Sequence, residues 1–169
     1  FPPIYFSYAT SQAGWQEEER ELPSYLVNSD HQDIGARFVD VNGDGLMDMV
    51  RGDRSEVTLA AWLNNGTDWI RNDTYKPPEY IVISNSAEPR DLGVRFADVN
   101  NDGLTDLLRA DSKEDTRNAW LSTGQGWERN DSFASPEYFL DSDSIDLGVR
   151  LMDVNGDGYT DILRGDKTH

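Results

Sequence analysis

The chain has 169 residues, with 15 Lys and Arg against 32 Asp and Glu, a net charge of −17 and no cysteine. That length suits one domain or a few repeats, and the acidity argues against nucleic-acid or anionic-lipid partners. The absence of thiols excludes disulfides, cysteine nucleophiles and cysteine zinc sites. Its 5 Trp, 7 Tyr and 6 Phe set the chain apart from disordered acidic sequences. No apolar run nears the roughly 18 residues that span a bilayer, so membrane insertion is not expected. The sequence opens on Phe1 without a basic and apolar leader, which predicts a processed chain or a fragment of a longer one.

Two kinds of segment alternate along the chain. The first stretch, SYATSQAGWQEEERELPSYLV from Ser7, predicts strands between about Ile4 and Val27. A helical turn is expected at Gln16–Leu22, with Glu17, Glu18 and Glu19 on a solvated face. Next comes DIGARFVDVNGDGLMDMVRGD from Asp33 to Asp53. The Trp-containing kind returns as AWLNNGTDWIRNDTYKPPEYIV from Ala61, and the acidic kind as DLGVRFADVNNDGLTDLLRAD from Asp91 to Asp111. A third pair follows, AWLSTGQGWERNDSFASPEYFL from Ala119 and DLGVRLMDVNGDGYTDILRGD from Asp146 to Asp166. Trp15, Trp69 and Trp127 align, as do Pro23, Pro78 and Pro136, and Tyr25, Tyr80 and Tyr138. Trp62 and Trp120 fall where Tyr8 stands. Asp40 and Asp98 lie 58 residues apart and Asp98 and Asp153 lie 55 apart, a register that defines a repeat.

Within a unit the hydrophobic period is two. Val94 and Phe96 face one way and Arg95 the other, as in a strand. Asp106–Arg109, Thr116–Leu121 and Glu137–Leu140 complete four short strands, separated by Gly, Asn, Asp and Pro clusters. The expected fold is all-β, built of propeller-type blades of four antiparallel strands, about three repeats in all. The chain starts and ends mid-blade. Its units run approximately 1–30 (half a blade), 31–88, 89–143 and 144–169 (half a blade) within a single repeat domain, 1–169.

The motif D-x-N-x-D-G-x-x-D carries the chemistry. Its copies supply Asp40, Asn42, Asp44 and Asp48; Asp98, Asn100, Asp102 and Asp106; and Asp153, Asn155, Asp157 and Asp161. Oxygen ligands at alternate positions wrap a hard cation, and Gly45, Gly103 and Gly158 permit the sharp turn. The backbone carbonyls of Leu46, Leu104 and Tyr159 can join the shell. Roughly six or seven oxygens suit Ca²⁺ better than Mg²⁺, and the lack of His or Cys argues against Zn²⁺. About three Ca²⁺ sites are therefore expected. The loop is not an EF-hand, because Arg51, Arg109 or Arg164 stands where a bidentate Glu belongs and strands flank it.

This loop, preceded by G-[AV]-R-[FL], resembles the FG-GAP and VCBS repeat families, the calcium-loop propeller blades of integrin α-subunits. The Phe-Gly and Gly-Ala-Pro signatures of the family are absent. The phrase W-L-x-x-G-x-x-W followed by P-E-Y is similar to repeats in bacterial surface and toxin-complex proteins and in some lectin propellers. The resemblance implies an extracellular, calcium-stabilised adhesion or scaffold module. Its alternatives are a carbohydrate-binding lectin propeller and the non-catalytic shell of a secreted toxin complex. Expected partners are calcium, a protein or a further copy joined head to tail in a ring or filament, and glycans.

Arg51-Gly52-Asp53 and Arg164-Gly165-Asp166 spell a cell-attachment tripeptide but share one repeat position, where a strand end is expected. Asn65, Asn72 and Asn130 fit the N-glycosylation pattern, for a chain on a eukaryotic secretory route. The tryptophans are expected to pack between blades rather than stack on sugars. Arg37, Arg95 and Arg150 are expected to brace loop carboxylates or the next blade. No nucleophile elbow, zinc-protease or P-loop motif occurs, and no enzymatic activity is expected.

Overall fold

The computed structural model describes residues 6–9, 15–18 and 20–166, the first two stretches as backbone only. Fourteen strands are formed among them. A first hairpin pairs β1 (Phe6–Ala9) with β2 (Trp15–Glu18). A first complete blade follows, from β3 (Ala36–Val39), β4 (Asp48–Asp53), β5 (Thr58–Asn64) and β6 (Trp69–Arg71). The strands β7 (Val82–Ile83) and β8 (Arg90–Asp91) lead to a second complete blade of β9 (Val94–Ala97), β10 (Asp106–Asp111), β11 (Thr116–Ser122) and β12 (Trp127–Arg129). A last hairpin pairs β13 (Val149–Met152) with β14 (Asp161–Arg164). The four strands of each complete blade pair antiparallel, and their registers match: Met49 pairs with Phe38 and Trp62, and Leu107 with Phe96 and Trp120. β7 extends the first blade's sheet by pairing with β4 in parallel, at Asp53 and Val82. The all-β, blade-like fold expected from the period-two pattern is present, as two full blades flanked by two half-blades.

Two expected elements differ. Gln16–Glu18 lie in β2 rather than in a helical turn, since pairing with β1 satisfies the backbone while one isolated turn carries the full nucleation cost. The fourth strand of the second blade is Trp127–Arg129, not Glu137–Leu140. A tight turn through Gly124 and Gly126, both at positive φ, returns the chain to β11 at once. Glu137–Leu140 instead runs beside β10 on its way to the last hairpin, with the Phe139 amide donating to the Ala110 carbonyl at 3.0 Å, a parallel bridge from Leu140 to Asp111 and an antiparallel one from Leu140 to Asp146.

The core lies between blades, so the middle strands are buried on both faces. β10 is buried along its whole length and β4 nearly so, which explains why their apolar runs do not alternate cleanly. Val39, Val50, Ala61, Ile81, Val94 and Leu107 form the core between the two full blades, with Phe96, Trp120 and Trp127 packed against it. Leu108, Ala110, Phe139, Leu140 and Val149 join the second blade to the last hairpin. Trp127 donates its indole N–H to the Tyr75 carbonyl of the preceding blade at 3.2 Å. These contacts place Trp120 and Trp127 in interblade packing; the side chain of Trp15 lies outside the described residues. At Gly35, φ is +72° and a Cβ would lie 2.3 Å from the Gly52 carbonyl oxygen, so only glycine fits there. Gly93 and Gly148 repeat the geometry at 2.6 Å from the equivalent carbonyls.

Candidate metal centre

The three acidic loops join the first two strands of each blade. In the first, Asp40 accepts from the amides of Gly43 at 2.7 Å and Gly45 at 2.8 Å. Asn42 Oδ1 accepts from the Asp44 amide at 3.0 Å, and Asn42 Nδ2 donates to Asp44 Oδ2 at 2.8 Å. Asp44 Oδ1 takes the Leu46 amide at 2.8 Å. The second loop repeats this with Asp98 on Asn101 and Gly103, Asn100 on Asp102, and Asp102 on Leu104. The third does so with Asp153 on Gly156 and Gly158, Asn155 on Asp157, and Asp157 on Tyr159. Position four is left-handed in every copy, at φ +78° for Gly43, +61° for Asn101 and +79° for Gly156. Gly and Asn are the residues that tolerate this. Leu46 and Tyr159 turn their side chains to solvent.

The last Asp of each motif is placed differently from the others. Asp48 and Asp106 are 0% exposed. Asp48 accepts from the Val41 amide at 3.1 Å and from the Asn64 amide of β5 at 2.8 Å. Asp106 accepts from Val99 at 2.9 Å and from Ser122 of β11 at 2.8 Å. Each therefore ties the loop to the third strand of its blade. Asp161 keeps the first of these bonds, from Val154 at 3.1 Å. Burial pushes the carboxyls of Asp48 and Asp106 upward, against the pull of these amides, and the charges of Asp44 and Asp40, or Asp102 and Asp98, add to the rise. Asp153, held by the Gly158 and Gly156 amides, is lowered.

The loops stand in a row. A Cβ on Gly43 would lie 2.6 Å from Leu104 Cδ2 of the second loop, and the Thr160 hydroxyl of the third donates to the Asp98 carbonyl at 2.5 Å. Among the described residues, no group of three or more His, Cys, Asp or Glu side chains converges tightly enough to hold an ion by itself. The alternate-position side chains meet across each loop, while the final Asp is turned beneath it. Nor does any ion pair among the described residues join a loop carboxylate to Lys or Arg. Arg37, Arg95 and Arg150, expected to brace the loops or the next blade, pair with Asp33, Asp91 and Asp146 four residues earlier, at 2.7, 2.8 and 3.0 Å, rather than with a loop carboxylate. Arg95 also lies over the Phe139 ring, 5.8 Å from its centroid, in the packing that joins the second blade to the last hairpin. The donor set itself suits a hard cation: carboxylates, one amide oxygen and a backbone carbonyl, with no nitrogen or sulfur ligand.

The opposite end of the blades carries a network that residue patterns did not signal. Glu114, in the turn after β10, accepts from Arg54 at 2.7 Å and Arg90 at 2.6 Å and also pairs with Arg109. The bond from Arg54, reinforced by Arg109, pulls the Glu114 carboxyl down to about 2. Asp53, of the Arg51-Gly52-Asp53 tripeptide, is fully buried and bonded to Ser84, so that copy is not displayed for attachment. Asn72 and Asn130 cap single turns of 3-10 helix, accepting from Thr74 and Ser132, a local role for two of the glycosylation candidates.

The FG-GAP-like repeat family matches residues 40–109 and 98–163. The chain belongs to that family. No curated protein and no solved structure shows significant similarity to it.

Proposed function

We propose that this chain is a non-catalytic, calcium-stabilised repeat module of an extracellular adhesive or scaffolding protein. One observation carries the reading. Nine carboxylates recur in three equivalent loops without a cationic side-chain partner among the described residues, and two of them are fully buried. A buried carboxylate beside like charges is costly unless a cation joins it. Asp40, Asn42, Asp44 and Asp48 with the Leu46 carbonyl would hold the first ion. Asp98, Asn100, Asp102 and Asp106 with Leu104 would hold the second, and Asp153, Asn155, Asp157 and Asp161 with Tyr159 the third. The ion supplies positive charge and a fixed loop; three of them would cancel about a third of the net charge of −17.

The module's partner is a protein or a further set of blades. Among the described residues β14 is paired on one side alone, by β13. Ile162 and Leu163 are 37% and 38% exposed, whereas their counterparts Leu107 and Leu108 in the complete second blade are buried. Two more strands, from another copy head to tail or from further repeats, would cover them.

Calcium titration followed by thermal melting tests the reading. At ~10 to 100 times Kd each site adds about 1.4–2.7 kcal/mol, so saturating calcium raises Tm by several degrees and chelator reverses it. A Tm indifferent to calcium after verified metal removal would sink the proposal. Light scattering tests assembly separately, and a monodisperse monomer with native sheet content removes self-association.

A further inference from the structure

The segment that crosses into each blade lays one residue against an arginine of the second strand. Repeat alignment makes Ser24, Glu79 and Glu137 equivalent, since the flanking Pro23, Pro78 and Pro136 and Tyr25, Tyr80 and Tyr138 align. In the second blade, Arg109 Nη1 donates to Glu79 Oε2 at 3.0 Å and Asn118 Nδ2 donates to Glu79 Oε1 at 2.9 Å. Arg129 Nη2 donates to Asn118 Oδ1 at 2.9 Å, closing a chain of four side chains. In the last hairpin, Arg164 Nη1 donates to Glu137 at 2.9 Å.

The first blade keeps both arginines and loses what lies between them. Arg51 and Arg71 stand for Arg109 and Arg129, but Ser24 replaces Glu79 and Ala60 replaces Asn118. The rest of the arrangement is preserved. Arg51 Nε donates to the Ile34 carbonyl at 3.3 Å, as Arg109 Nε does to that of Leu92 at 3.1 Å. Arg51 also pairs with Glu56, as Arg109 pairs with Glu114. Only the Nη1 contact changes kind: it reaches the neutral Ser24 hydroxyl at 3.4 Å instead of a carboxylate. A cavity of about 380 Å³ opens at this point, with Ser24, Arg51, Ala60, Trp62 and Arg71 in its wall, together with Glu56, whose carboxylate is paired with Arg51 as Glu114 is with Arg109. That is large enough for a small ligand.

We propose that this cavity binds a small carboxylate ligand, whose carboxylate takes the place that Glu79 holds in the next blade. Arg51 Nη1 supplies the charge-assisted hydrogen bond. Arg71 pairs with Asp73 at 3.1 Å, as its counterpart Arg129 pairs with Asp131 while also bonding the Asn118 amide, and its remaining donor faces a second oxygen of the ligand; Trp62 and Ile34 border the carbon stem. The site is independent of the acidic loops and needs no calcium.

The experiment uses the full chain with glutarate, a carboxylate on a short apolar stem, and glucuronate, a sugar acid, followed by amide and indole NMR. Glutaramide and glucose are the uncharged controls. The expected result is millimolar binding of at least one acid, shifting the Ser24 amide and the Trp62 indole, with no response to its uncharged control. Glutarate alone points to an acidic side chain or organic acid as the natural source; glucuronate alone points to an acidic sugar. Ser24→Glu with Ala60→Asn rebuilds the second blade's network in the cavity, so it weakens binding at least about tenfold while raising Tm. Failure of both acids to shift these signals overturns the proposal. So does an equal response to the uncharged controls, or undiminished binding in the folded double variant. The comparison of acid with uncharged control needs no variant and decides the matter if that variant does not fold.

Discussion

The two ends of the second blade solve the same problem in opposite ways. β10 begins and ends with a fully buried aspartate, Asp106 at the loop end and Asp111 at the turn end. Asp111 accepts from Arg90 at 2.9 Å and lies 3.9 Å from Arg109, inside a network that also holds Glu114 and Glu79. Asp106 accepts from two backbone amides, and the charges that act on it are those of Asp102 and Asp98, which raise its carboxyl further. One end carries its own cations as side chains. The other offers oxygen donors and, on the reading proposed above, takes its cation from solution. On that reading the turn end is independent of calcium, while the loop end would follow the calcium concentration.

The largest test removes the turn end's cation. Arg109→Ala leaves Glu114, Glu79 and Asp111 with less compensation at a site only 5% exposed. It should lower unfolding free energy by about 3–5 kcal/mol in urea titrations. The calcium-induced rise in Tm should survive; its disappearance would show that the two ends are not separable. At the loop end, Asp106→Ala strips the acceptor from the Val99 and Ser122 amides and should cost about 2–3 kcal/mol in calcium-free buffer. Asp106→Asn keeps one acceptor oxygen and should cost less, yet reduce the calcium response. Equal losses for the two variants without calcium would assign the residue's role to charge rather than to hydrogen bonding.

Acid separates the ends more gently. Glu114 is lowered from 4.5 to about 2 when folded, so its contribution is complete above the unfolded value and lost as pH falls from about 4.5 to 2. Allowing for its partial exposure, the loss should be about 2 kcal/mol. Comparison with Glu114→Gln, measured by melting across that range, isolates it: the variant's stability should fall less steeply. The smallest effect concerns the turn itself. Val57 holds φ +52° where the second blade places Asp115 at +48°. A β-branched residue is strained there, so Val57→Asn should gain about 0.5–1 kcal/mol. A loss of stability would show that the Val57 side chain packs usefully despite being 76% exposed.

Much of this was legible because each repeat prints the same constraint again. Asp-x-Asn-x-Asp-Gly fixes a loop through local bonds between residues two to five apart, and Gly43, Asn101 and Gly156 mark its left-handed position. Period two in Val94–Ala97 marked strands, and the alternation of segments marked a chain offset by half a blade. The fourth strand was misplaced because Glu137–Leu140 carries an apolar pattern as good as that of Trp127–Arg129. The choice rested on the tight return at Gly124 and Gly126. The arginine network gave no signal, since Arg54 and Glu114 lie 60 residues apart.

The sequence by itself determined the repeat, the all-β class and the oxygen-rich loops, because each of these follows from neighbours within a few residues. Only the tertiary structure decided that the last Asp of the motif faces inward to the third strand. The same is true of the charge network at the far end, and of the cavity left where the first blade lacks a glutamate. Those outcomes depend on which blade lies against which. Packing between sheets brings together residues that no local pattern relates, and burial there sets the cost of every uncompensated charge.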